Sequence, residues 1–324
     1  MQSSGSGMLV IPAEPGDPIS AVFIDGNYVT SGSHMGKVWV YNIERNSRRM
    51  IAGFSEDAIR GLYIQDGTLY VTVGDQQCRQ IRICDPYDQI ETRFNRRSTS
   101  SGFKYVFQKF NQVTVLYPGM TTFIDVVTNS QSMCPFKLQQ PMILNVCPVD
   151  CFQYRVLFSE FAVTDAADPP PRKFKIMDVS TGDLKWQHLD AGLTQARFIS
   201  NSLVVYFSVN RLVILNADSG NIDRSFSNFH RSDVVAMDCS MCMGSEGKPF
   251  VASVGANGSV CVWNHESGTI VGRGTLSQFS FSLGNPYHVQ ARAEDARFLI
   301  TVSDDNGVHY LSCARTDVVE NLQA

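Results

Sequence analysis

The chain has 324 residues, 44% of them hydrophobic and 18% charged, with a formal net charge of -4; these are the values of a folded globular protein and exclude a largely disordered one. No apolar run reaches the roughly 18 residues of a membrane helix, and residues 1–7 lack the basic-then-apolar layout of a secretion signal. Nine cysteines form no framework and point to reduced thiols in the cytoplasm, while residues 37–109, with 12 Lys/Arg against 8 Asp/Glu, are too mildly basic for a nucleic-acid footprint.

Residues 1–7 are Ser/Gly-rich and read as a flexible leader. Met8-Leu9-Val10-Ile11 follows as an isolated apolar strand. A first unit of four strands is predicted over about 16–54, where Ser31-Gly32-Ser33 enters a turn carrying His34 and Met35 before Val38-Trp39-Val40-Tyr41. A second runs to about 97, with a longer turn over 74–80 that contains Asp75 and Arg79. A third runs to about 140 and is the most divergent, its turn written Tyr117-Pro118-Gly119 ahead of Met120. The fourth, to about 190, holds an insertion at 160–173 whose Pro169-Pro170-Pro171 cannot join a sheet interior and must be exposed.

A compact fifth unit, to about 229, contains Leu203-Val-Val-Tyr-Phe207 and Leu212-Val-Ile-Leu215, the continuous apolar runs of strands covered on both faces. In the sixth, His230 precedes an apolar strand through Met237. A second strand over 249–254 then leads through Gly255-Ala256-Asn257-Gly258 into Val260-Cys261-Val262-Trp263-Asn264. The seventh has Phe298-Leu-Ile-Thr-Val302, a turn over 303–307 and a strand over 308–311. Its fourth strand is expected from residues 8–11, with 317–322 as the alternative.

The ending of the third strand recurs along the chain at Tyr41-Asn42, Cys84-Asp85, Ile124-Asp125, Met177-Asp178, Leu215-Asn216, Trp263-Asn264 and Leu311-Ser312. The spacings of 43, 40, 53, 38, 48 and 48 cluster about one repeat length. A second mark follows several endings: Asp178-Val-Ser-Thr-Gly182, Asn216-Ala-Asp-Ser-Gly220, Asn264-His-Glu-Ser-Gly268 and the weaker Asp125-Val-Val-Thr-Asn129. An Asp or Asn opening such a turn bonds the backbone two residues on, and Gly or Asn supplies the left-handed position a hairpin needs.

The unit from His230 to Asn264 closely resembles one WD-repeat. That resemblance implies an all-β, seven-bladed WD-repeat β-propeller over 8–315, closed by the N-terminal strand and followed by a tail at 316–324. It further implies a buried tetrad of histidine, serine, aspartate and tryptophan, whose places are held here by His230, Ser253, Asn257 and Trp263. Asparagine for aspartate keeps an acceptor and loses the charge.

Familiar catalytic motifs are absent: no phosphate loop, no His-Glu-x-x-His, no Gly-x-Ser-x-Gly and no dinucleotide fingerprint occurs. Cys239-x-x-Cys242, with Cys147 and Cys151 elsewhere, reads as ordinary thiols rather than a zinc site. Asp304-Asp305-Asn306-Gly307 reads as a polar hairpin turn without a metal. Phe94-Asn95-Arg96-Arg97-Ser98 departs from the Phe-Arg-Arg-Gly motif of phosphoinositide-binding propellers at two positions. The expectation is therefore a non-enzymatic interaction scaffold, without cofactor, whose partners are proteins or peptides rather than nucleic acid or membrane. A membrane-surface phosphoinositide binder and a propeller enzyme are the alternatives. The resemblance places His34, Met35, Arg79, Tyr117 and Met120 in loops on one face, with Asp75, Arg211, Asn257, Asp304 and the 160–173 insertion on or near it. The first five are the predicted partner contacts.

Overall fold

The computed structural model describes residues 8–54, 57–74, 77–84, 89–93, 105–109, 111–117, 120–135, 146–161, 172–181, 183–190, 193–208, 211–227, 230–239, 250–276, 288–294, 297–304 and 307–316. Strand β1 (Met8–Pro12) comes first. Blade one is β2 (Ile19–Asp25), β3 (Tyr28–Ser33), β4 (Lys37–Asn42) and β5 (Ser47–Gly53). Blade two is β6 (Ile59–Gln65), β7 (Thr68–Val73), β8 (Gln77–Arg82) and β9 (Gln89–Arg93). Blade three is β10 (Tyr105–Lys109), β11 (Gln112–Tyr117), β12 (Met120–Asp125) and β13 (Ser130–Pro135). Blade four is β14 (Val146–Phe152), β15 (Arg155–Phe161), β16 (Arg172–Asp178) and β17 (Asp183–Asp190). Blade five is β18 (Leu193–Phe198), β19 (Leu203–Ser208), β20 (Arg211–Asn216) and β21 (Ile222–Ser227). Blade six is β22 (Val234–Asp238), β23 (Phe250–Gly255), β24 (Ser259–Asn264) and β25 (Ile270–Thr275). Blade seven takes β26 (Val289–Ala293), β27 (Arg297–Asp304) and β28 (Gly307–Ala314), and β1 is its fourth strand. Seven four-stranded sheets of this order make a seven-bladed β-propeller, the expected fold.

The third strands β4, β12, β16, β20 and β24 each end on the Asp or Asn found in the sequence. Those side chains cap the next turn. Asp125 Oδ1 accepts from the amides of Val127 and Thr128, both at 2.9 Å; Asn216 Oδ1 does the same for Asp218 and Ser219, and Asn264 Oδ1 for Glu266 at 2.8 Å. Asn46, Asn129, Gly220 and Gly268 supply positive φ in these hairpins. Local chemistry thus sets the hairpin between third and fourth strands.

Two compact units divide the chain, Met1–Ile64 with Asn228–Ala324 and Gln65–Ser227. In the first, β1 pairs with β28 in the register Met8↔Leu311 to Pro12↔Gly307, as expected for closure by the N-terminal strand. The core of blades six and seven is built on Val254, Val262, Phe298 and Ile300, with Phe250 and Phe298 packed edge to face at 5.1 Å. Polar side chains tie neighbouring blades: Ser20 Oγ donates to the Ile59 carbonyl at 2.7 Å, and Gln290 Oε1 accepts from the Ile24 amide at 2.8 Å.

In the second unit Leu157, Ile176, Phe198 and Leu215 are buried together. Thr72 Oγ1 donates to Gln108 Oε1 at 2.7 Å, and the buried Asp150 carboxylate accepts from the Phe198 amide at 2.7 Å. A buried carboxylate is tolerated where amides satisfy its oxygens.

Three expectations are corrected. The insertion in blade four is shorter than 160–173, because Glu160↔Lys173 and Phe161↔Arg172 continue the strand ladder. Leu311-Ser312 is no strand ending: β28 runs through to Ala314, because Ser312, Cys313 and Ala314 still pair with Leu299, Phe298 and Arg297 of β27. The turn before β8 is shorter than 74–80, because Val73 already pairs with Gln77. The expected leader 1–7, the stretch 317–322, Asp75, Arg96, Arg97, Pro118, Gly119, Cys242 and residues 305–306 lie outside the described residues.

Candidate functional site

Blade six carries a chain of hydrogen bonds through the residues singled out in the sequence. Ser253 on β23 is wholly buried, and its Oγ lies 2.8 Å from His230 Nε2. The other ring nitrogen, Nδ1, lies 2.7 Å from Ser259 Oγ, which donates to Asn257 Oδ1 at 2.7 Å. Ser232 Oγ also donates to Asn257 Oδ1, at 2.9 Å. Because Ser259 spends its hydrogen on Asn257, His230 carries its proton on Nδ1 and accepts at Nε2 from Ser253. Burial, helped by the nearby Arg273 charge, pushes His230 down to about 4, so this tautomer is neutral. Trp263 is fully buried on β24.

His230 and Asn257 therefore meet through the hydroxyl of Ser259. That residue was missed in the sequence, although a hydroxyl two positions after an Asx residue in a turn is the signal that marks it. The packing is tight: a methyl group on Gly255 would meet Ser232 Oγ at 2.6 Å and Ser259 Oγ at 2.8 Å.

The network floors a cleft of about 750 Å³ whose lining includes His230, Arg231, Asn257, Ser259, Arg273 and Thr275. Arg273 reaches it as the cross-strand partner of Cys261 on β24. Val262 pairs with Gly272 and Trp263 with Ile270, so Val271 is an extra residue in β25 and resets which side chains face the cleft.

Of the predicted partner contacts, His34 and Met35 belong to the first compact unit and Arg79, Tyr117 and Met120 to the second. His34 and Met35 share the turn between β3 and β4, held by the His34 amide on the Pro18 carbonyl at 3.0 Å and the Met35 amide on Asp17 Oδ1 at 2.9 Å. The Lys37 amide adds a bond to Ser33 Oγ at 3.0 Å. Gly36 has φ of 79°, and a Cβ there would lie 1.9 Å from the Phe54 carbonyl oxygen. Met35 is 50% exposed.

Arg79, expected in a loop, sits inside β8 opposite Val71 and is ion-paired with Glu91 at 2.7 Å. Tyr117 and Met120 are register partners at the ends of β11 and β12. Arg211 opens β20 and bonds Ser225 Oγ at 3.2 Å. Asp304, expected at the surface, is buried. Its Oδ1 accepts from the Gly307 amide at 3.1 Å, and its Oδ2 lies 2.8 Å from Nε2 of the buried His309. That histidine was not singled out, because its contact depends on hairpin register rather than on sequence spacing.

No protein-family model and no curated protein matches the chain in sequence. Solved structures resemble it in shape. The WD40 β-propeller domain of Doa1 is 12% identical with a TM-score of 0.59, over 97% of this chain and 99% of that one. The computationally designed Ika8 protein is 16% identical with a TM-score of 0.58, over 94% and 99%. BamB from Moraxella catarrhalis, 13% identical over 91% and 85%, has a TM-score of 0.45 and carries no weight. At such identities the likeness is one of fold, and the fold is a seven-bladed β-propeller.

Proposed function

We propose that the protein is a divergent WD-repeat propeller acting as a non-enzymatic scaffold, which holds other proteins through its loops. The observation that carries this reading is the turn at His34–Gly36. It presents a half-exposed methionine on a backbone locked by Asp17, Ser33 and the Pro18 carbonyl. A backbone already held in place loses little further freedom on docking, and methionine adapts its shape to what it meets. Three buried polar groups of the kind an active site would use are engaged within the fold: His230 with two serines, Asp150 with two amides, and Asp304 with the Gly307 amide. A reducing, cytoplasmic setting belongs to the same proposal, supported by seven described cysteines that are all unbridged.

Affinity capture of the tagged full chain, with mass spectrometry of what it retains, tests the reading. Specific partners are expected, and Met35→Glu should reduce at least one of them by about tenfold while leaving the thermal midpoint unchanged. Capture of no specific protein would refute the scaffold.

A further inference from the structure

The cleft on blade six carries positive charge that no described acidic residue answers. Arg231 and Arg273 both line it and both are exposed; among the described residues neither is engaged by a carboxylate and none that lines the cleft is acidic. The network residues that share this lining, His230, Asn257 and Ser259, are neutral. Ser253, His230, Ser259 and Asn257 form one chain of bonds in which the imidazole is uncharged and the turn residue is an amide. An aspartate at 257, the residue of the repeat pattern this blade resembles, would put a carboxylate in the same cleft as both guanidinium groups. Asparagine keeps the hydrogen bond and leaves the positive potential intact.

Two guanidinium groups with hydroxyls beside them make a donor set for an anion with several oxygens. Thr275 lines the cleft with them. The space, about 750 Å³, is far larger than one phosphate and lies in the range of sites that enclose a ligand of several groups. Val260, Cys261 and Gly274 add apolar and backbone wall for the atoms that carry the anion.

We propose that this cleft binds the phosphate of a phosphorylated serine or threonine, together with flanking residues, on a partner protein. The inference rests on the scaffold reading and names what the scaffold recognises. Arg273 and Arg231 grip the phosphate oxygens, and the His230–Ser259–Asn257 chain holds the turn in place beneath them. Recognition of this kind is switched by modification of the partner, since the unmodified hydroxyl brings no charge to the arginines.

The test uses the full chain and a pool of labelled nonapeptides of randomised sequence with a central phosphoserine or phosphothreonine. The same pool without phosphate and phosphatidylcholine vesicles carrying a phosphoinositide are measured alongside. The phosphorylated pool should bind about tenfold or more tighter than the plain one, and both millimolar inorganic phosphate and added salt should displace it. Arg273→Gln and Arg231→Gln should each weaken it by about tenfold, with Arg273→Lys weakening it less. Asn257→Asp is the decisive variant: it should lose the binding while melting no lower than the wild type, an outcome that misfolding cannot produce. Equal binding of the two pools, no binding, binding unmoved by Arg273→Gln, or binding to the vesicles alone would overturn the proposal. If affinity capture still retains partners from the wild type in any of those cases, the scaffold reading stands and only the phosphate site is lost.

Discussion

Trp263 heads the fully buried side chains, and the network beside it shares its blade. Replacing it with alanine removes volume that the close-packed sheet cannot recover, so Trp263→Ala should lower stability by about 3 to 5 kcal/mol in denaturant unfolding. His230 makes the residue scale sensitive to pH. Its folded value of about 4 lies below the ordinary value of 6.5, so the unfolded chain binds the proton first. Stability is therefore complete above pH 6.5 and falls as pH drops toward 4, by up to about 3 kcal/mol. His230→Gln, which does not titrate, should flatten that part of the stability profile. The His230–Ser253 bond and the burial of Trp263 were legible because a repeat pattern names these residues at fixed spacing. Arg273 was not: its place depends on cross-strand register, which the extra residue Val271 shifts, whereas Ser259 is marked only by its position two residues after Asn257.

Among elements, the hairpin caps were the most legible, because Asn42, Asp125, Asp178, Asn216 and Asn264 act on amides a few residues away. Arg79 was misplaced for the opposite reason. Gly74 read as the start of a long turn, but pairing resumes at Gln77, and a strand's start is set by its neighbour as much as by its own sequence. The turn at His34–Gly36 offers a sharp test of how rigid these loops are. Gly36→Ala places a side chain both in the left-handed region and against the Phe54 carbonyl, so a loss of about 2 kcal/mol or more is expected in the unfolding midpoint. Met35→Glu, one residue away and exposed, should leave that midpoint alone.

At the scale of the whole molecule the repeat period was legible without any long-range information, and so was the number of blades. Closure was legible too, as an apolar strand at 8–11 lacking a local partner. What could not be read is how closely the two ends of the first unit approach. Gly307 has φ of 142°, and a Cβ there would lie 2.0 Å from the carbonyl oxygen of Ile11 in β1. Gly307→Val should therefore expel β1, seen as rapid amide exchange at 8–12 and a lower thermal midpoint. The same pairing dictates a timetable for biosynthesis. Strand β1 leaves the ribosome well before its partner β28, with the whole of the second unit made in between. Throughout translation β1 is a sticky apolar strand without its mate, and blade seven remains open until the final residues of β28 emerge. Chains halted before Gly307 would expose an unpaired sheet edge, so ribosomal stalling ahead of β28 should yield products that chaperones retain and proteases clear.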